Sequence, residues 1–261
     1  MKIKLVHGFT QNRQALTPFC DLLQVIADAP VEIIEAPYHG DSLLTGKTLS
    51  EVGAEVGRAY RDDECVFVGY SLGGRILLEA LSAGALGEDD VIVFGAAISE
   101  GGVKQREARI EADRKLAERV ASIESKEEFR EFLVTWLNAP LFNGISHEQA
   151  QLEARLNNDP QKIARVLTEL STGHQFELMD RLKVVLQNRQ ETTRTHRNRL
   201  GYIYGGHDIK FKGIASSLMQ EIEVVSLIEI GSCGHFTIGE RPYESAQAIV
   251  KILQGWGKYD K

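Results

Sequence analysis

The segment that most constrains this chain is residues 65–81, Cys65-Val-Phe-Val-Gly69-Tyr70-Ser71-Leu72-Gly73-Gly74-Arg75-Ile-Leu-Leu-Glu-Ala-Leu. A short β-branched run, a Gly-x-Ser-x-Gly turn and an apolar helical run follow one another without a spacer. A serine nucleophile on a sharp strand-to-helix turn needs this order. The flanking glycines leave room for a tight bend that strains the serine backbone and lifts its hydroxyl above the sheet. The helix that begins there points backbone N–H groups and its positive end at developing negative charge. The alternative is an ordinary strand-helix turn that happens to contain serine, and the rest of the chain discriminates between the two.

A serine on such a turn is followed in chain order by an acid and then a histidine, each just beyond a strand. Tyr202-Ile-Tyr-Gly-Gly-His207-Asp208 supplies Asp208, and Ile228-Glu-Ile-Gly-Ser-Cys-Gly-His235 supplies His235. His207 competes as base but adjoins the acid in sequence, which suits a loop residue. An oxyanion hole takes one N–H from the residue after the nucleophile, Leu72, and one from a loop after an early strand. His7-Gly8-Phe9-Thr10 is that loop, and the Phe9 amide is the expected second donor. His7, His39, His147, His174 and His196 read as structural or solvated residues.

Apolar runs at Ile3–Val6, Val31–Glu35, Cys65–Val68, Val91–Phe94, Leu200–Tyr204 and Glu223–Ile228 lack polar alternation, as strands buried on both faces of a parallel sheet do. Helical patterns lie between and after them, at Thr17–Ala27, Ser50–Tyr60, Gly74–Ala83, Phe211–Gln220 and Tyr243–Leu253. The alternation predicts an α/β fold with a mostly parallel central sheet flanked by helices. Residues 101–199 break the rhythm. Phe129, Phe132, Leu133, Trp136 and Leu137 share one helix face, and Asp159-Pro160 reads as an N-cap with proline at the first helical position, followed by Ile163, Val166, Leu167 and Leu170. The expected organisation is a core of residues 1–100 and 200–261 with a helical lid, 101–199, inserted between them. Gln187–Arg199 reads as a solvated, Arg-rich connector.

Charge supports the insertion. The chain carries 30 Lys+Arg and 37 Asp+Glu, a net charge of −7, which makes nucleic acid an unsuitable general partner. Residues 101–200 hold 17 basic and 15 acidic side chains, including 12 of the 17 arginines, so the lid is slightly basic and the core strongly acidic. No apolar run reaches the roughly 18 residues of a membrane span, and the N-terminus runs into a strand pattern without a secretory h-region; a cytoplasmic protein is expected. Cys20, Cys65 and Cys233 are odd in number and widely spaced, which predicts buried small residues rather than disulfides or a metal site.

Over its full length the chain resembles the α/β-hydrolase fold. Within that fold it is similar to the MenH family, 2-succinyl-6-hydroxy-2,4-cyclohexadiene-1-carboxylate synthases of menaquinone biosynthesis. The residues behind the resemblance are Val6-His-Gly-Phe, Pro37-Tyr-His-Gly-Asp-Ser42, Gly69-Tyr-Ser-Leu-Gly-Gly-Arg75, Arg106-Glu-Ala-Arg109 with Asp113-Arg114, Trp136-Leu-Asn-Ala-Pro140-Leu-Phe142, Arg155-Leu-Asn-Asn158, and Gly206-His-Asp208-Ile-Lys210-Phe211 with Gly234-His235. The resemblance implies a lyase that eliminates pyruvate from 2-succinyl-5-enolpyruvyl-6-hydroxy-3-cyclohexene-1-carboxylate, with Ser71 as proton-abstracting base and no metal or organic cofactor. It also implies substrate contacts from Tyr70, Arg75, Arg109, Trp136, Arg155 and Lys210, the cations pairing with carboxylates. The expected partner is therefore a small polycarboxylate, bound by a monomer or weak homo-oligomer that neither crosses a membrane nor binds nucleic acid. Two departures stand out: Tyr38 where the family pattern has glycine, expected to add a side chain near the pocket mouth, and Phe236-Thr237-Ile238 in place of a more polar run, expected to make the wall beside the base apolar. The alternative function on the same triad is a carboxylester or thioester hydrolase with an acylated Ser71.

Overall fold

The computed structural model describes all residues except 63, 99–100, 143–144, 188–198, 224 and 260–261. Among the described residues six strands, β1 (Lys2–Val6), β2 (Val31–Ile34), β3 (Cys65–Tyr70), β4 (Asp90–Phe94), β5 (Leu200–Gly205) and β6 (Val225–Ile230), form one all-parallel sheet in the order β2-β1-β3-β4-β5-β6. The central strands β3 and β4 are buried throughout. Their residues alternate between two apolar clusters: Val66, Val68, Tyr70, Ile92 and Phe94 face one side, Cys65, Phe67, Val91 and Val93 the other. Covering both faces makes these strands continuous apolar runs.

On the first face lie α1 (Arg13–Ala27) and, after β6 and the short α10 (Thr237–Glu240), α11 (Pro242–Gly255). On the second lie α2 (Leu49–Tyr60), α3 (Leu72–Ser82) and α9 (Ile209–Glu221). The expected strands and helices occur with ends shifted by a few residues. β6 begins two residues later than expected, because its register is set by pairing Leu200 with Val225 and Gly205 with Ile230. α1 begins earlier than the apolar pattern indicates: the Asn12 side chain accepts from the Ala15 N–H, and the helix carries Pro18 inside it.

Between β4 and β5 the described residues form α4 (Val103–Ala121), α5 (Lys126–Leu137), α6 (Leu152–Arg155), α7 (Pro160–Glu169) and α8 (Leu178–Gln187), the helices of the expected lid or cap. Ser125 and Glu128 form a capping box on α5, and Asp159 accepts from the Gln161 and Lys162 N–H groups ahead of Pro160 at the start of α7. Phe129, Leu133 and Leu137 of α5 and Ile163 of α7 belong to the cluster that contains Tyr70 and Phe94, so the cap packs directly above the sheet's C-terminal edge. α8 returns to the flanking layer, where Arg181 donates to buried Glu79 of α3 at 2.8 Å. The expected solvated connector falls largely on residues 188–198, outside the described residues. Its last residue, Arg199, departs from that expectation: its guanidinium pairs with buried Asp90 at 2.9 Å. Among the described residues no helix is long and apolar enough to cross a membrane, and all three cysteines are buried and free.

Candidate active site

Ser71 follows β3 at φ +50, ψ −105, a left-handed backbone that costs a non-glycine residue roughly 1–3 kcal/mol. Its neighbours hold it there. A Cβ on Gly73 would lie 2.2 Å from the Val6 carbonyl oxygen, and one on Gly69 2.6 Å from the backbone of Gly73 and Gly74. The Ser71 N–H donates to the Phe94 carbonyl at 2.8 Å, tying the turn to β4.

Asp208 leaves the end of β5 as the N-cap of α9, accepting from the Phe211 N–H. His235 comes from the loop after β6, its ring stacked on Phe211 with centroids 4.5 Å apart. The His235 Nδ1–H donates to Asp208 Oδ2 at 2.9 Å, which leaves Nε2 to accept the Ser71 hydroxyl at 3.2 Å. Both Asp208 and His235 are buried, so the bond between them is shielded from water, whereas the Ser71 hydroxyl meets the cavity. Three residues spread over 164 positions of sequence thus form one hydrogen-bonded line.

The loop after β1 is held by two histidines that do no acid–base work. The Nε2 of His7 accepts from the Ala36 N–H at 3.1 Å and its Nδ1–H donates to the Gly8 carbonyl; the Nε2 of His39 accepts from the Thr10 N–H at 3.0 Å and its Nδ1–H donates to the Pro37 carbonyl. Burial pushes His39 down to about 4 and His7 well below its usual value, so both stay neutral. The Gly8 and Gln11 N–H groups are engaged by Gln11 Oε1 and the Gly8 carbonyl. Among the described residues that leaves the Phe9 N–H of this loop without a protein acceptor. Leu72, first in α3, has no intrahelical acceptor for its N–H either. Phe9 and Leu72 are the residues whose N–H groups the sequence nominates as oxyanion donors, and both N–H groups are without a backbone acceptor among the described residues.

One cavity beneath the cap is lined by Ser71, His235 and Phe9 and by four of the expected substrate residues, Arg75, Arg109, Trp136 and Lys210. The other two lie outside its lining. Tyr70 is buried, its hydroxyl without a hydrogen-bond partner among the described residues. Arg155 is 1% exposed, and its guanidinium donates to the Ala150 carbonyl at 2.6 Å, the Thr10 hydroxyl at 2.5 Å and the Phe9 carbonyl at 3.2 Å. Burial without a carboxylate lowers it to about 10. Arg155, expected from sequence as a substrate contact, thus braces the loop after β1 from behind and lies outside the cavity lining. Asn158 and Asn12 extend the brace, donating to the Thr10 and Ala154 carbonyls.

Both departures from the family pattern also sit differently from expectation. Tyr38, at φ +67, lies outside the cavity lining; its hydroxyl donates to Glu169 and its ring lies under Arg165, 4.3 Å from guanidinium carbon to centroid. Phe236 packs beneath Arg155 and beside Tyr70 and does not wall the cavity. Sequence reading missed Asp113, Ser171 and Thr172, which line the cavity from the cap. The Asp113-Arg114 pair was visible as a family feature, but nothing in the sequence shows which way the carboxylate points.

A family model described as Alpha/beta hydrolase family matches residues 5–248. The chain belongs to that family. Among its relatives, the 2-succinyl-6-hydroxy-2,4-cyclohexadiene-1-carboxylate synthase of Enterobacter sp. (strain 638) is 26% identical, the match covering 95% of this chain and 90% of the relative. The structure of MenH from S. aureus superposes with a TM-score of 0.81 at 22% identity, covering 98% of this chain and 94% of that one. A carboxylesterase structure from Nitrososphaera gargenis reaches a TM-score of 0.71 at 15% identity over 98% of this chain and 91% of its own. The alpha/beta hydrolase scaffold alone therefore does not choose between elimination and hydrolysis.

Proposed function

We propose that this alpha/beta hydrolase is a carbon–oxygen lyase of menaquinone biosynthesis. It eliminates pyruvate from 2-succinyl-5-enolpyruvyl-6-hydroxy-3-cyclohexene-1-carboxylate to give 2-succinyl-6-hydroxy-2,4-cyclohexadiene-1-carboxylate. Its relatives carry that synthase name. The observation that carries the reading is the charge of the cavity: Arg75, Arg109 and Lys210 line the same space as Ser71 and His235, against the one carboxylate of Asp113 among the described lining residues. A neutral ester has no use for three cations, whereas a polycarboxylate needs them.

In the reaction, His235 Nε2 takes the Ser71 proton and Asp208 stabilises the resulting imidazolium. The Ser71 oxygen then removes a ring proton next to a carbonyl. The released electron pair moves through the ring and expels the enolpyruvyl oxygen with its bonding pair; the departing enolate takes a proton from solvent on carbon to give pyruvate, and the proton held on His235 returns to solvent, restoring the resting enzyme. Charge that develops on the substrate carbonyl oxygen is met by the Phe9 and Leu72 N–H groups. The elimination uses acid–base chemistry alone.

The 3.2 Å Ser71–His235 contact also serves acyl transfer, so ester hydrolysis is the second reading. Turnover of the enolpyruvyl substrate set beside cleavage of p-nitrophenyl acetate separates them. Pyruvate release with weak ester cleavage is expected, and strong ester cleavage without pyruvate supports the hydrolase.

A further inference from the structure

Asp113 is a buried carboxylate in an otherwise cationic cavity, one helical turn after Arg109 on α4. Its Oδ2 accepts from Arg109 Nε at 2.8 Å and from the Ser171 hydroxyl at 2.7 Å. Ser171 in turn accepts from the Gly173 N–H, so the carboxylate is fixed from two chain segments. The pairing uses the inner edge of the guanidinium, through Nε alone; its two terminal amino groups have no protein acceptor among the described residues. A long arginine side chain that would otherwise sample many rotamers is thereby held with its two-pronged end available for a carboxylate.

We propose that Asp113 is the positioning residue that aims Arg109 at an anionic arm of the substrate. This rests on the reading that the cavity receives a polycarboxylate. Asp113 acts through Arg109 and does not touch the reacting atoms. A carboxylate that merely competed with the substrate for Arg109 would weaken binding, whereas one that orients the guanidinium strengthens it, and the two roles give opposite signs when Asp113 is removed.

Succinate is a suitable probe, because calorimetric binding to the full chain requires no turnover. D113A is expected to weaken succinate binding about tenfold, R109A by a similar factor, and the double variant no further than R109A alone. D113N keeps an oxygen facing Arg109 Nε but loses the charge, and should weaken binding by about two- to threefold. With the enolpyruvyl substrate, D113A should raise KM about tenfold at a kcat changed less than about threefold. Tighter succinate binding in D113A or D113N, additive losses in the double variant, or no succinate binding by wild type overturns the assignment. Should D113A fail to fold, the sign of the D113N effect still decides. Absence of pyruvate release by wild type with these succinate results intact would refute the proposed reaction and leave the role of Asp113 standing.

Discussion

Arg155→Met tests whether the buried arginine braces the oxyanion loop or binds substrate. Moving the guanidinium out of water depresses its pKa from 12.5 to about 10, which corresponds to about 3 kcal/mol against the charged folded form. Three charge-assisted hydrogen bonds to Ala150, Thr10 and Phe9, taken at roughly 1.5 kcal/mol each, more than offset this, and methionine would leave the loop acceptors unpaired. The expected loss in a urea unfolding experiment is therefore about 2–4 kcal/mol. Steady-state kinetics should show the larger consequence. With the Phe9 carbonyl released, its peptide neighbour no longer fixes the Phe9 N–H, and misaiming one oxyanion donor should lower kcat by roughly 10–100-fold with a smaller change in KM. A KM raised tenfold or more, with kcat and stability at wild-type values, would refute the bracing role and return Arg155 to the substrate-binding set.

Gly73→Ala places a Cβ 2.2 Å from the Val6 carbonyl oxygen, a backbone atom that cannot move aside, so a loss above about 3 kcal/mol or no soluble protein is expected; a stable, active variant would contradict the packing described. His39 is held near 4 against an ordinary value of 6.5, so the unfolded state binds its proton first as pH falls, and the contribution is intact above about 6.5 and lost progressively toward 4. Unfolding at about pH 5 should show a penalty of roughly 2 kcal/mol that His39→Gln removes; an unchanged pH dependence in that variant would exclude His39 as its source. Tyr38 sits at φ +67, so Tyr38→Gly should be more stable than Tyr38→Ala by about 1 kcal/mol although both lose the contacts to Glu169 and Arg165. Equal unfolding midpoints would show that the backbone there carries no strain.

Ser71, Asp208 and His235 were legible from sequence because each is fixed by local turn chemistry next to a strand, and strand order fixes the rest. The parallel sheet was legible for a similar reason: strands covered on both faces are continuous apolar runs, as Cys65–Tyr70 and Asp90–Phe94 are. Which way the cap side chains point was not. Arg155 ends a four-residue helix whose orientation depends on contacts with Asn12 and Thr10, more than 140 residues away, so nothing local distinguishes a brace from a ligand. Asp113 lies in a highly charged helix where one buried carboxylate looks like its solvated neighbours until Ser171 is brought against it. Tyr38 illustrates the same limit: the sequence places a bulky residue where glycine is usual, but only the approach of α7 shows that the ring engages Arg165 and Glu169 outside the cavity.

The central claim is that Ser71 removes a proton to expel enolpyruvate, and single-turnover release of pyruvate by wild type and Ser71→Ala tests it most directly. Wild type should release one equivalent of pyruvate without a covalent adduct on Ser71 by intact-protein mass spectrometry, and Ser71→Ala should be slower by roughly a thousandfold or more with its unfolding transition unchanged. Wild-type pyruvate release by Ser71→Ala, or an acylated Ser71 accumulating in wild type, would contradict it.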